Sequence, residues 1–182
     1  MKKIRIFLMS ALVAVLASCG TSSTVPITGR KQNILVSDEQ VLSLSNQQYQ
    51  EYMKSAKAST NATNTAMVKR VGQNIANAVV SYLQQNGLAA EVSNYKWEFN
   101  LVQDKSVNAF CMPGGKIVVY EGLLPVTQDE SSLAIVVGHE VAHAVAKHSA
   151  ERLSNELRKQ YGSQILGAVL QGAGASTNLQ SI

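Results

Sequence analysis

The chain has 182 residues, 46% of them apolar and 15% charged, so it is long enough for one folded domain and unlike a disordered acidic segment or a coiled coil. Two cysteines are too few for a disulfide-stapled scaffold. Sixteen basic against twelve acidic side chains give a net charge of +4, which by itself is compatible with a nucleic-acid or membrane-surface partner.

The first 18 residues have the pattern of a secretory signal peptide. A basic start over Met1–Arg5 precedes an apolar run over Ile6–Ala17, which is shorter than the roughly 20 residues needed to span a bilayer. The small residues that follow, ending at Cys19, resemble a bacterial lipobox, in which a peptidase cuts before a lipid-modified cysteine. We expect cleavage after residue 18 and lipidation of Cys19; the alternative is a plain cleaved signal with a chance cysteine.

Cleavage at that point changes the charge and cysteine counts. The signal carries Lys2, Lys3 and Arg5, so the mature chain keeps 13 basic and 12 acidic side chains, a net charge of +1. A near-neutral domain has no basic face for a phosphate backbone, so we predict no nucleic-acid partner. Cys111 loses its one possible intramolecular partner to the lipid, and we predict no disulfide.

The mature chain is predicted to begin with a tether. Residues 19–36 are rich in Thr, Ser and Gly and would lead into a domain over 37–182. Ser37 and Gln40 have the spacing of a capping box, which predicts a helix from there to about Ala58.

A second helix is predicted after a short polar linker. Residues 59–65 have linker composition, and apolar residues then recur at helical spacing from Met67 to Leu83. Gly87 follows as a typical helix stop.

Three strands are predicted next. Apolar and polar residues alternate over Tyr95–Leu101, which indicates a half-buried strand. Val107–Met112 and the β-branched run Lys116–Tyr120 are extended stretches separated by the turn residues Pro113–Gly115.

The remaining pattern is helical. Thr127 and Glu130 have the spacing of another capping box, opening a long helix from about residue 129 toward Lys159, and a further helical segment is predicted over 163–170. Helices around a small antiparallel sheet place the domain in the α+β class.

The long helix carries the chemistry. His139, Glu140 and His143 form the pattern H-E-x-x-H, in which the two histidines lie one turn apart on one helix face and can bind one metal ion. Glu140 is rotated by one residue and can reach a water on that ion. Zinc would lower the pKa of this water toward ~7 and polarise a carbonyl, with the carboxylate taking the proton.

The alternative is a histidine pair that is buried and satisfied by hydrogen bonds. It is disfavoured because Leu133–Ala146 is otherwise apolar, and burying three polar groups without a shared partner would cost several kcal/mol. His148 lies half a turn off the ligand face, which favours a place beside the site or on the surface over ligation.

Two segments resemble one metallopeptidase family. Val107–Leu124 and Gly138–Arg152, together with the lipobox, are similar to the bacterial lipoprotein branch of the gluzincin family that also holds the CaaX prenyl endopeptidases, HtpX and the Oma-type proteases. The resemblance implies a zincin-like fold with a long active-site helix and one Zn²⁺ per chain. It also implies endopeptidase activity on unfolded or misassembled envelope proteins.

The same resemblance assigns residues by position. His139 and His143 are the zinc ligands, and Glu140 is the general base. Asn108 and Ala109 match the edge strand that would hold a peptide by strand addition, which main-chain groups near the metal could do for an extended peptide of any sequence.

The third zinc ligand of the family, a Glu from a later helix, has no counterpart here. Glu151 and Glu156 are the only later carboxylates, and Glu151 would lie about 12 Å along an unbroken helix from His143. We therefore expect a C-terminally truncated copy whose third ligand is not in this chain, with weakened zinc affinity and low turnover.

Two functions remain open for this chain. The first is a zinc endopeptidase lipid-anchored in the bacterial envelope; Gly20 after the lipidated cysteine favours the outer membrane, facing the periplasm. The second is a non-catalytic lipoprotein that acts as a chaperone or assembly factor, with a vestigial metal site. Glu140 favours the first, because a vestigial site needs no base, and the absent third ligand favours the second.

Overall fold

The computed structural model describes residues 21–26 and 28–172, so the predicted signal peptide and Cys19 lie outside the described residues. In chain order the elements are the strands β1 (Thr21–Thr24) and β2 (Lys31–Ile34), the helices α1 (Asp38–Ser55) and α2 (Ala62–Gln85), the strands β3 (Glu98–Val102), β4 (Ala109–Met112) and β5 (Lys116–Tyr120), and the helices α3 (Leu124–Thr127), α4 (Glu130–Val145) and α5 (His148–Gly172). The predicted α+β class is confirmed. Within this part of the chain no helix is both long and apolar enough to cross a membrane.

The described part of the segment predicted to be a tether is folded. The strands β1 and β2 pair antiparallel, and β2 lies against α5. The Leu35 amide donates to Ser154 Oγ at 2.8 Å, and the Arg158 guanidinium donates to the Asn33 carbonyl at 2.9 Å. The tether prediction was wrong here because the stabilising partners lie more than 100 residues away in sequence, where local composition cannot reveal them.

Side-chain caps begin the two long N-terminal helices. The Ser37 hydroxyl accepts from the Gln40 amide and the Gln40 side chain accepts from the Ser37 amide, so the predicted capping box is confirmed. Helix α2 starts inside the predicted linker because the Asn61 side chain caps it, accepting from the Asn64 amide at 2.9 Å. It ends just before Gly87, whose φ of 73° is the left-handed conformation that suits a helix stop.

The three central strands form a mixed sheet in the order β3-β5-β4. Strands β4 and β5 make the predicted antiparallel hairpin, with Gly114 and Gly115 both at positive φ in the turn. Strand β3 pairs with β5 in parallel, so the prediction of a wholly antiparallel sheet was wrong. The central position goes to β5, where Ile117, Val118 and Val119 are buried almost completely, as expected for an apolar strand covered on both faces.

The main hydrophobic core lies between α2, one face of the sheet and α4. Its most buried side chains are Val68, Val71 and Leu83 of α2, Leu101, Ile117 and Val119 of the sheet, and Leu133, Val137, Val141 and Val145 of α4. The apolar stripe predicted for α2 is therefore confirmed. The opposite face of the sheet is covered by α1, where Tyr49 packs with Val102 and Val118.

The long helix predicted from about residue 129 is broken. Instead of running on toward Lys159, α4 ends at Val145, Lys147 adopts a φ of 55°, and α5 starts at the next residue. The segment predicted over 163–170 lies within α5. Because no Gly or Pro stands at this break, nothing in the local sequence marked it.

Candidate metal centre

Helix α4 presents the predicted ligands because its other face is buried. Asp129, and not the predicted Thr127, caps the helix: the Asp129 carboxylate accepts from the Ser132 amide at 2.7 Å. The core residues of α4 recur every four positions, so they share one side of the helix. His139 and His143 lie on the exposed side, one turn apart.

His139 and His143 each direct one nitrogen toward the other. Their Nε2 atoms are 3.0 Å apart, and the two rings are nearly perpendicular with centroids 4.5 Å apart. Two imidazole nitrogens bound to one tetrahedral zinc at ~2.0–2.1 Å would lie about 3.3 Å apart, so the pair would need to open only slightly. The residues present therefore supply two of the nitrogens that a zinc site requires.

Glu140 is half-buried and lies close to β4. Burial, and then the charge of Glu140, raise the pKa of the Cys111 thiol in β4 to about 12. This shift keeps Cys111 protonated at neutral pH in the described structure, and the thiolate is the form that binds metals. Cys111 was not recognised as a neighbour of the motif, and no sequence signal marked it, since β4 meets α4 only in the folded chain.

Strand β4 is the edge of the sheet next to α4, and part of its main chain has no hydrogen-bond partner among the described residues. The Tyr120 amide donates to the Asn108 carbonyl at 3.1 Å, so the main chain of Asn108 is directed toward β5. Direction alternates along an antiparallel strand, so Ala109 and Cys111 direct their main-chain groups to the outer edge. The main chain of Ala109 therefore faces the outer edge, whereas the main chain of Asn108 already pairs with β5.

The opposite edge of the sheet is covered. Residues 57–59 run along β3, where the Ser59 amide donates to the Leu101 carbonyl at 2.9 Å and the Gln103 amide donates to the Lys57 carbonyl at 2.8 Å. Within the described residues, β4 is therefore the edge of this sheet that is open to an added strand.

Among residues 21–26 and 28–172, no group of three His, Cys, Asp or Glu side chains is placed to hold a metal ion. The separation predicted for Glu151 assumed a continuous helix and no longer applies. Instead, the Glu151 carboxylate accepts two hydrogen bonds from Arg30, at 2.7 and 2.6 Å. Glu156 accepts from Lys159 at 3.0 Å on the exposed side of α5. Both later carboxylates are thus hydrogen-bonded to basic side chains.

His148 lies beside the histidine pair. Helix α5 begins at His148, directly after the break. Nδ1 of His148 therefore lies 2.6 Å from Nδ1 of His143, and the two ring centroids are 4.8 Å apart. Burial, and then the neighbouring His143, lower the pKa of His148. The sequence favoured a place beside the site or on the surface, on the assumption of a continuous helix. The structure puts His148 beside the site because the helix breaks at Lys147.

An α+β domain in which a His-Glu-x-x-His helix lies beside an open sheet edge defines the zincin-like class of metallopeptidases. The model of Peptidase family M48 matches residues 75–181, more than half of the chain. The chain belongs to this family of zinc-dependent metallopeptidases.

Relatives match shorter or longer parts of the chain. It is 32% identical over 131 residues to the mitochondrial metalloendopeptidase OMA1 of Bos taurus, which covers 71% of this chain and 24% of the relative. It is 49% identical over 63 residues to the mitochondrial metalloendopeptidase OMA1 of Schizosaccharomyces pombe, covering 35% and 19%. The beta-barrel assembly-enhancing protease of Yersinia pestis is 33% identical over 75 residues, covering 40% and 15%. The chain therefore spans about a quarter or less of these relatives.

Proposed function

We propose that the protein is a zinc-dependent endopeptidase in which His139 and His143 bind one Zn²⁺ and Glu140 is the general base. The proposal rests on the position of the two Nε2 atoms, which lie 3.0 Å apart on the exposed side of α4. The residue after His139 is Glu140, a half-buried carboxylate. Membership of a metallopeptidase family supports it.

Different residues of this chain have different roles in the proposed reaction. Bound zinc would polarise the scissile carbonyl and acidify a water. Glu140 accepts the proton of the attacking water and returns it to the leaving amine. The imidazoles of His139 and His143 are neutral while they ligate, so each must carry its proton on Nδ1.

The outer edge of β4 is proposed to hold the substrate. Ala109 and Cys111 present amides and carbonyls that an extended peptide can pair with, whatever its side chains. Asn108 stands at the entry to this strand, and its side chain, with the main chain already paired, would contact the peptide. Strand addition orients the peptide along β4, which packs against the helix that carries the ligands.

The third zinc ligand is proposed to come from outside the described residues. The sequence contains no His, Cys, Asp or Glu after Glu156, and the longer relatives extend far beyond the matched region. A non-catalytic client-binding lipoprotein is the second candidate, favoured by the absence of a three-ligand cluster within the described residues.

The location and substrates are part of the proposal. Cleavage after residue 18 and lipidation of Cys19 would anchor the protein in the bacterial envelope, in the outer membrane and facing the periplasm. Unfolded or misassembled envelope proteins would be its substrates, and no nucleic acid would bind. The name of the Yersinia pestis relative, a beta-barrel assembly-enhancing protease, supports an envelope substrate.

Casein hydrolysis with added zinc tests the enzymatic proposal. Glu140→Gln keeps the size of the side chain and removes the base, so we expect at least a hundredfold loss of the wild-type rate. Glu156→Gln makes the same chemical change at an exposed position and should keep the rate. Equal rates for the wild type and Glu140→Gln would overturn the proposal and favour the client-binding alternative.

A further inference from the structure

The break between α4 and α5 is held in place by a lysine. Lys147 adopts a φ of 55°, a conformation that residues other than glycine rarely take. Its ammonium donates to Asp38 of α1 at 2.8 Å and to Glu91 at 3.0 Å. Glu91 lies in a 3-10 helix, Ala89–Asn94, that follows α2. These ion pairs fix the turn, and the turn directs the His148 ring back onto His143.

The first turn of α5 is held from a second direction. Glu151, at position i+3 from His148, accepts hydrogen bonds from Nη1 and Nη2 of Arg30, which precedes β2. Together with the Lys147 ion pairs, this contact gives the start of α5 a defined position relative to α4. The placement of His148 is therefore built by tertiary contacts rather than left to an exposed helix end.

Both ring nitrogens of His143 have a partner. Nε2 lies 3.0 Å from Nε2 of His139, and Nδ1 lies 2.6 Å from Nδ1 of His148. A nitrogen that binds a metal must offer its lone pair, so ligation through Nε2 requires the proton of His143 to be on Nδ1. That proton then needs an acceptor, and Nδ1 of His148 is at hydrogen-bond distance.

We propose that His148 is a positioning residue for His143, an inference that rests on the proposed zinc site. With its own proton on Nε2, His148 accepts the Nδ1 proton of His143. This holds the His143 ring in the orientation and tautomer that direct the Nε2 lone pair toward His139. His148 is not a third ligand, because its Nδ1 meets the edge of the His143 ring away from the point where the two Nε2 atoms converge.

Two substitutions separate this role from packing. In His148→Asn the side-chain oxygen stands on Cγ as Nδ1 does, so the acceptor is kept; in His148→Ala it is lost. Ser149→Ala, at the exposed next residue, is the matched control. Circular dichroism of the full chain establishes that each variant is folded.

The first readout needs no metal. At a pH where the rings are neutral, ¹H–¹⁵N spectra of the imidazole nitrogens should show His143 protonated on Nδ1 in the wild type, His148→Asn and Ser149→Ala. In His148→Ala, we expect a shift toward the Nε2-protonated tautomer. An unchanged His143 tautomer in His148→Ala would overturn the inference.

The second readout is zinc affinity, measured by competition with a chromophoric chelator. We expect a loss of about 10- to 100-fold in His148→Ala, the effect typical of removing a hydrogen-bond partner from a metal-binding histidine, and recovery to within about threefold of the wild type in His148→Asn. Loss without recovery would assign a packing role and overturn the inference. A wild type that binds no zinc would instead refute the proposed function, and the tautomer would still decide the role of His148.

Discussion

Lys116 is a charged side chain in the central strand of the sheet, and only 5% of its surface is exposed. Its ammonium donates to Glu98 Oε1 at 2.5 Å and to the Lys96 carbonyl at 2.8 Å. The Tyr49 hydroxyl of α1 donates to the other Glu98 oxygen at 2.9 Å. The hydrogen bond from Lys116 holds the pKa of Glu98 below its usual range, and the network ties α1 to both parallel strands.

Replacing Glu98 by Gln should destabilise the fold in a pH-dependent way. The Glu98 carboxyl has a lower pKa in the folded than in the unfolded chain, so its contribution is present above the unfolded value of 4.5 and is lost as the pH falls through the folded pKa. At pH 7 we expect Glu98→Gln to lower the free energy of unfolding by about 1–2 kcal/mol, since a buried ammonium loses a half-exposed partner.

Urea unfolding at pH 7 and pH 3 checks this expectation, because the difference between wild type and variant should shrink at the lower pH. Glu51→Gln, which removes a fully exposed pair with Lys54, should change little at either pH. A deficit of the same size at both pH values would show that the carboxylate charge does not contribute.

Individual residues of the candidate site could be found from sequence when their geometry was local. His139, Glu140 and His143 are placed relative to one another by the helix repeat, so spacing alone predicts their common side. The neighbourhood of Cys111 and the burial of Lys116 depend on which strands pair and which helix covers them. No local pattern carries that information.

At the scale of the element, the break at Lys147 decides the arrangement around His143 more than the helices on either side of it do. The local residues around it favour a continuous helix, and two ion pairs from distant elements hold a left-handed backbone instead. The capping boxes show the contrast: Ser37 caps its helix with a partner three residues away, which a sequence reveals. Thr127 has the same spacing to Glu130, yet Asp129 takes the cap.

Two substitutions at Lys147 should have an unusual order of stability. Both Lys147→Ala and Lys147→Gly remove the ion pairs, but only glycine adopts a φ of 55° without strain. We therefore expect the glycine variant to be more stable than the alanine variant by about 1 kcal/mol in urea unfolding. At Lys159, inside α5 and exposed, the same two substitutions should show the reverse order, since alanine favours a helix over glycine by about 1 kcal/mol. Alanine above glycine at both positions would contradict the observed break.

At the scale of the whole molecule, the N-terminal hairpin belongs to the domain. Ser154 is fully buried in α5, donates to the Ala150 carbonyl at 2.7 Å and accepts from the Leu35 amide at 2.8 Å. Arg30 pairs with Glu151 one turn earlier. Since β1 begins at residue 21, the folded domain starts two residues after Cys19. Two extended residues span about 7 Å, so a lipid on Cys19 would hold the domain within that distance of the lipid attachment point.

Replacing Ser154 by Ala should loosen this docking. The Leu35 amide would lose its acceptor, and we expect a loss of about 1 kcal/mol in the free energy of unfolding together with faster hydrogen exchange at that amide. Exchange followed by mass spectrometry after pepsin digestion measures both the hairpin and the rest of the domain. Ser163→Ala removes an exposed hydroxyl of the same helix and should leave the hairpin unchanged. Rapid exchange of the Leu35 amide already in the wild type would argue for a tether.

The sequence by itself determined the α+β class, the capped start of α1, the apolar stripe of α2, the β4–β5 hairpin and the motif that carries the proposed site. All of these depend on interactions within a few residues, which spacing and residue type express directly. The tertiary structure decided the docked hairpin, the parallel pairing of β3, the break at Lys147 and the contact of His148 with His143. Each of these is stabilised by groups that are distant in sequence, and their proximity exists only once the chain has folded.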